Sequence, residues 1–328
     1  MIGWYVHSHG RGHAQRLGCV AAHLQTPVTA LSSLPRPDGF AGEWLRLADD
    51  LPRSDPERDP TAGGTLHWAP RHHPGLLERS ARIVEWVART RPALVVVDVS
   101  VEVAVLVRSL GVPVVVAGMR GHRGDRAHRT AYDLADALLA PWPAEYAEPW
   151  PAGWLAKTWH VGALSRLDGR PSRPAPGERR VAVLWGEGGS DVTAADVAAA
   201  QQATPGWTWD VLGLGGPRVA DPWSVLQAAD VVVTHGGQNA LAEVAAARRP
   251  AVVVPQSRPY DEQRANAAAL DRAGLALVRA TWPSPDAWPS LLERAVGLDV
   301  SAWTRWSDGA GASRAAALLD GAARAWAA

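Results

Sequence analysis

Residues 234–267 gather side chains suited to holding a phosphorylated, hydroxyl-rich ligand. His235-Gly236-Gly237 follows the β-branched run Val231–Thr234 and opens an Ala-rich stretch, Gln238–Ala247, with helical character. A helix start leaves backbone N–H groups unpaired and carries partial positive charge, so a diphosphate is favoured there. This reading assigns Gly236, Gly237, Gln238 and Asn239 to a donor diphosphate, unless the glycines make an ordinary turn. Glu243 lies four residues after Asn239, hence on the same helix face, and either accepts from a ribose diol or stands in solvent. Asp261, Glu262, Gln263 and Asn266 cluster at the next helix start, where they form a sugar-selecting end. Within it Asp261 suits the N-cap, with Glu262 and Gln263 facing the ligand. A second glycine turn after VAVLW, with Gly188, Gly189 and Ser190, either adds N–H donors to the same phosphates or is a plain turn. Asn occurs only as Asn239 and Asn266, and Lys only as Lys157 against 32 Arg. A GC-rich coding bias explains that pattern, and both surviving Asn fall in this segment.

The first half repeats the strand, glycine turn and helix in SHGRGHAQR, residues 8–16. His13 starts that helix, where the dipole favours a neutral imidazole able to act as a base. Asp98 ends the strand LVVVD and either orients His13, as a triad carboxylate does, or caps the following helix. Gly12, Arg16 and Arg120 are placed at a phosphate or an acceptor carboxylate. Arg120 belongs to the basic run MRGHRGDRAHR, which faces an anionic acceptor or is a solvated loop. His7, His9 and His13 lack the Cys or HExxH pattern of a metal site, so no metal is assigned. Trp142, Trp150, Trp154 and Trp159 pack between domains, stack an acceptor, or touch a membrane surface weakly.

Elements that position these groups alternate along the chain. Strands are predicted at Ile2–His7, Val28–Ser32, Leu94–Asp98, Val112–Gly118 and Ala137–Pro141, then at Val181–Trp185, Val211–Leu214, Val231–Thr234, Ala251–Pro255 and Leu275–Val278. Helices are predicted at Ala14–Leu24, Pro74–Thr90, Val101–Leu110 and Arg126–Ala135, then at Ala194–Ala203, Gln238–Ala247 and Asp261–Ala273. Continuous apolar strands between helices mean parallel sheets covered on both faces, which bind ligands beyond the strands' carboxyl ends. The Pro- and Gly-rich segment 166–180 reads as a linker between domains 1–165 and 181–300, with a helical tail over 301–328.

A net formal charge of zero gives no prior for nucleic acid. The lone cysteine, Cys19, excludes an internal disulfide and fits a reducing compartment. The N-terminus shows no signal-peptide pattern and no apolar run reaches the ~18 residues of a spanning helix, so a cytoplasmic protein, monomer or homodimer, is expected.

Together GRGHAQR, ADVVVTHGGQNALAEVAAARRPAVVVPQ and the Glu-Gln-x-x-Asn-Ala that follows resemble GT-B glycosyltransferases of the MurG and UDP-glycosyltransferase kind, with a family 28 type C-terminal domain. The resemblance spans both halves. It implies an α/β fold of two Rossmann-like domains facing across a cleft, the first for the acceptor and the second for the nucleotide sugar. The tail after Ser301 would pack back on the first domain. The implied reaction is inverting and metal-independent, from a nucleoside-diphosphate sugar, a UDP-sugar first, to a small-molecule or lipid-linked acceptor. Natural-product or cell-envelope biosynthesis in a bacterium is the implied setting, and no cofactor is expected. His13 takes the place of the family's base, Asp98 that of its acidic partner, and Gly236, Gly237, Asn239 and Glu243 those of the diphosphate and ribose contacts. Glu262 stands where the family has Asp, and Pro222-Trp223 replaces a frequent Pro-Gln, so sugar and nucleobase stay open. Two competitors remain: a sugar-nucleotide hydrolase with water as acceptor, suggested by Gly-x-Gly-His-x-x-Arg, and a binding partner without chemistry.

Overall fold

Val-rich runs of three to five residues alternate with helices from one end of the chain to the other. The computed structural model describes residues 1–8, 10, 12–52, 57–186, 190–217 and 219–326. The first half runs β1 (Ile2–Val6), α1 (Gly12–Ala21), β2 (Val28–Ser32), β3 (Glu43–Arg46), α2 (Pro74–Thr90) and β4 (Leu94–Asp98). It continues with α3 (Val101–Ser109), β5 (Val114–Ala117), α4 (Arg126–Leu134), β6 (Ala137–Ala140), α5 (Ala152–Leu155) and β7 (Thr158–His160). The second half runs β8 (Arg180–Leu184), α6 (Ala194–Ala203), β9 (Thr208–Leu212), α7 (Trp223–Ala228), β10 (Val231–Thr234) and α8 (Gln238–Ala247). It ends with β11 (Ala251–Val253), α9 (Glu262–Arg272), β12 (Leu277–Val278), α10 (Trp288–Val296) and α11 (Gly311–Trp326).

These strands form two parallel sheets, ordered β3-β2-β1-β4-β5-β6-β7 and β12-β11-β10-β8-β9. In each, the strand order reverses direction at one place: between β1 and β4, and between β8 and β10. At such a switch point the flanking connections leave to opposite faces and open a crevice at the carboxyl edge. The crevices fall beside Val6 and Asp98 in one sheet and beside Leu184 and Thr234 in the other.

Side-chain alternation explains why the strands read as unbroken apolar runs. Tyr5, Val95, Val97, Val114 and Val116 pack on one face of the first sheet, and Ile2, Trp4, Val6, Val96 and Val115 on the other. The second sheet divides likewise, with Ala182, Val232 and Val253 against Val181, Val183, Val233 and Val252. Both faces are covered, so no polar alternation survives. Two strands escaped prediction, β3 (EWLR) and β7 (TWH), which lie at the sheet's edges and lack β-branched runs. The strand expected at Val211–Leu214 starts earlier, at Thr208, where the edge strand β9 carries polar residues.

Helix α11 lies against the first sheet, where Ala312, Ala315, Ala316 and Leu319 join Ile2, Trp4 and Leu17 in one core. Asp320 accepts from the backbone N–H groups of Gln25 and Thr26 at 3.0 and 2.9 Å. Arg314 ties the start of α11 to the carbonyl of Val161 at 2.7 Å. In the other direction the buried Arg249 donates to the carbonyls of Leu226, Arg173 and Gln227, fastening the connecting segment to the second sheet. No helix among the described residues is long and apolar enough to cross a membrane. Leu319 is fully buried. Leu319→Ala is therefore expected to lower unfolding free energy in urea by about 2–5 kcal/mol.

Candidate active site

The first crevice holds a buried acid with an imidazole and a guanidinium beside it. Asp98 is completely buried at the end of β4, and its Oδ1 accepts from His13 Nδ1 at 2.9 Å and from Arg16 Nη1 at 2.5 Å. Oδ2 has no hydrogen-bond partner among the described residues. Burial works to raise the Asp98 pKa, but Arg16 and His13 outweigh it and hold the carboxyl below its usual range. An ionised Asp98 requires the proton on His13 Nδ1, which leaves Nε2 with a lone pair. Asp98 does not cap α3: Ser100 does, its Oγ accepting from Val103 N–H at 3.2 Å. Between them Val99 adopts φ 77°, a left-handed conformation that costs a β-branched residue roughly 1–3 kcal/mol and concentrates at functional positions.

The second crevice presents the start of α8. Its N-cap, Gly237, supplies no side-chain cap, so the first-turn N–H groups stay available. His235 Nδ1 accepts from Gly237 N–H at 2.9 Å. Burial, helped by the charge of Arg258, pushes the His235 pKa from 6.5 down to about 4, so this ring is neutral beside the helix start. Gln263 braces the turn, its Oε1 accepting from Gly236 N–H at 3.1 Å and Gln256 N–H at 2.9 Å, while Asn266 donates to Gly236 O at 2.8 Å. A Cβ on Gly236 would fall 2.4 Å from the Gln263 carbonyl, so only glycine fits.

Several expected contacts are placed differently. The Gln263 carboxamide oxygen is engaged by backbone, and Gln263 is buried. Asp261 holds the N-cap position of α9 in a left-handed conformation (φ 54°) with no capping bond. Its carboxylate instead meets Arg264 Nη1 at 3.2 Å and, across the cleft, His122 Nε2 at 3.4 Å. Glu262, half-exposed, starts α9. Ser190 Oγ accepts from Trp185 Nε1 at 3.0 Å and Val192 N–H at 2.9 Å; Gly188 and Gly189 lie outside the described residues, as does His9. Arg120 faces neither phosphate nor acceptor. It is fully buried, donates to Glu148 at 2.5 Å and Tyr146 O at 2.6 Å, and lies over Trp142. Trp142, Trp150 and Trp154 are buried too, and Trp159 stacks on Trp326, so these rings pack the fold.

The two crevices meet. Arg16 Nη2 donates to Gln238 Oε1 at 2.6 Å, and Asn239 Nδ2 to Gly12 O at 3.2 Å. The buried Glu243 accepts on Oε1 from Gln15 Nε2 at 3.1 Å and Arg166 Nε at 2.8 Å. His122 N–H donates to Tyr260 O at 2.8 Å beside Gly121, where a Cβ would fall 2.1 Å from that oxygen. His13, Asp98, Arg16 and Gly12 thus share one cleft with Gly237, Gln238, Asn239 and Glu243. Gln15, Arg166 and Tyr260 were not foreseen: Arg166 sits in a segment without period, and Tyr260 carries no local signal beyond a polar loop. Tyr260, itself left-handed (φ 62°), is ringed by His67, His128 and Arg123.

His67, Asp125 and His128 form the grouping among the described residues that could hold a metal ion. Three of its four ring nitrogens are already engaged. His67 Nε2 and His128 Nδ1 bond the two oxygens of Asp125, and His128 Nε2 accepts from Arg123 Nη1 at 3.1 Å. Since Arg123 can only donate, the neutral His128 keeps its proton on Nδ1, where it is given to Asp125. The cluster fits a hydrogen-bonded wall around Tyr260 better than a ligand set.

Comparison with known proteins agrees with the fold. Residues 221–282 match the glycosyltransferase family 28 C-terminal domain. The whole chain is similar in fold to Acinetobacter baumannii MurG (TM-score 0.66, 16% identity, covering 98% of this chain and 99% of that one). It is likewise similar to a UDP-glucosyltransferase from Polygonum tinctorium (TM-score 0.68, 15% identity, 100% and 99%) and to the glycosyltransferase of kitacinnamycin (0.67, 20%, 98% and 98%). The chain has the GT-B fold of these structures. An uncharacterised glycosyltransferase of Methanopyrus kandleri is 35% identical over 113 residues, 34% of this chain and about a third (32%) of that protein. Within the GT-B frame, His235 and the α8 start fall inside the matched domain, whereas His13, Asp98 and Arg16 lie outside it.

Burial of neutral imidazole has a consequence for acid stability. His235 and His128 both have pKa values lowered by burial to about 4, against 6.5 when unfolded. Between those values the unfolded chain binds protons that the folded one does not, so stability falls as pH drops from about 6.5 to 4. Urea unfolding from pH 7 to pH 4.5 checks this. His235→Asn, which keeps an acceptor for Gly237 N–H, should make the decline shallower.

Proposed function

We propose that the protein transfers a sugar from a nucleoside-diphosphate sugar, a UDP-sugar first, to a small-molecule or lipid-linked hydroxyl, with inversion and without a metal. The observation that carries this reading is the His13–Asp98 pair opposite the uncapped start of α8, joined across one cleft by direct hydrogen bonds. Asp98 fixes the proton on Nδ1, so Nε2 of His13 accepts the proton of the acceptor hydroxyl. The acceptor oxygen bonds to the anomeric carbon as the bond from that carbon to the diphosphate oxygen breaks, in line and with inversion. Negative charge passes to the departing nucleoside diphosphate, where the N–H groups of α8 receive it. Glu243 accepts from the ribose diol on Oε2, with its other oxygen held by Gln15 and Arg166. Glu262, half-exposed at the start of α9, is the donor-sugar contact.

Nucleotide sugars should raise the melting temperature, since a ligand at 100 times its Kd adds about 2.7 kcal/mol. No response to UDP-, TDP- or GDP-sugars would sink the donor-site reading. His13→Ala is expected to cut turnover by about 10²–10⁴-fold while leaving that thermal shift nearly intact. Free sugar released as fast as nucleoside diphosphate, with no acceptor present, would identify water as the acceptor. Donor binding without turnover over a broad acceptor panel would identify a binding protein.

A further inference from the structure

Arg16 is a buried charged side chain that touches both halves of the candidate site. Its guanidinium is 5% exposed and spreads its donors over three partners: Asp98 Oδ1 at 2.5 Å, Gln238 Oε1 at 2.6 Å and the thioether of Met119 at 3.6 Å. A planar fork can hold two acceptors at fixed relative positions, which a lysine ammonium cannot do as a preorganised unit. One acceptor is the carboxylate that sets the tautomer of His13. The other is the first residue of α8, the helix whose start is assigned to the diphosphate. Arg16 is thus occupied by protein on both sides rather than presented to a ligand as a bare cation. Among the described residues, the charged or titratable groups acting on Asp98 are Arg16 and His13 from α1 and His7, just after β1.

We propose that Arg16 is a positioning residue that couples closure of the cleft to readiness of the base: with the halves together, the Gln238 contact locks the guanidinium, and the guanidinium locks the Asp98–His13 pair. When the halves part, Gln238 leaves, Arg16 regains rotational freedom, and Asp98 loses its fixed second partner. The base is then correctly set only with the donor helix in place. This assignment rests on the reading of His13 as base and gives Arg16 a role other than binding phosphate or acceptor.

A double-mutant cycle on the full chain tests it. Arg16→Lys keeps the charge without the fork, and Gln238→Leu removes the second acceptor while leaving the Arg16–Asp98 ion pair in place. Turnover is read as nucleoside diphosphate released from the same panel of UDP-, TDP- and GDP-sugars. Each single change is expected to lower kcat about tenfold with donor KM altered less than about threefold, and the double mutant to be no worse than the poorer single. Arg16→Gln, which removes the positive charge beside Asp98, is expected to move the acid limb of the kcat/KM profile up by about one pH unit. Gln238→Leu should leave that limb in place. Additive losses in the cycle would overturn the proposal. So would a donor KM raised tenfold at unchanged kcat, which would make Arg16 a phosphate contact. A reading that needs no donor is imidazole ¹⁵N NMR of His13, expected to show the Nδ1–H tautomer in the wild type and a mixture in Arg16→Lys; an unchanged tautomer overturns the link to the base. Failure of the underlying reading looks different, because His13→Ala would then retain turnover.

Discussion

A fully buried carboxylate has to be stabilised before the strand that ends on it can settle. Removing an ionised acid from water costs several kcal/mol unless cations and hydrogen bonds compensate. Asp98 meets that requirement with His13 and Arg16, both from α1, and so the end of β4 and the start of α1 are fixed relative to each other. The strained Val99 backbone follows directly, because the chain must turn away from the acid within one residue and begin α3 under the Ser100 cap. One ion cluster therefore determines the local backbone, the tautomer of the imidazole and the direction in which Arg16 reaches.

The second half meets the first through neutral amides set against a few charged partners. Gln238, Asn239 and Gln15 each contribute a neutral amide to a bond across the cleft, Gln238 meeting Arg16 and Gln15 meeting Glu243. Glu243 is an acid whose near oxygen is shared between Gln15 of one half and Arg166 of the connecting segment, and Asp261 faces His122 across the same cleft. Polar amides at an interface between two domains give specificity of register at little cost on separation, since each partner can be rehydrated.

Much of this was legible in the chain because parallel sheets write themselves plainly. LVVVD, VVVT and the Pro74–Thr90 helix were readable to the residue, and the glycine turns marked the carboxyl edge where His13, Asp98 and Gly237 lie. Edge strands such as EWLR were hidden, since an edge position does not demand β-branched residues on both faces. Side-chain partnerships over long separations were hidden too. Nothing near Arg120 announces Glu148 or Trp142, so a buried structural cation read as a ligand contact. The same holds for Gln263, whose polar type suggested a sugar but whose oxygen holds two backbone amides.

The chain passes between the two sheets twice. It goes forward through residues 161–179 and returns ahead of α11, and both passages are anchored at their ends by arginines, Arg249 on one side and Arg314 on the other. A body joined to another by a single tether can swing and twist freely. Two tethers leave it essentially one easy motion, a rotation about the line that joins them, in the manner of a door on two hinges. Opening of the cleft should then retrace one arc, returning Gln238 to Arg16 in the same register each time.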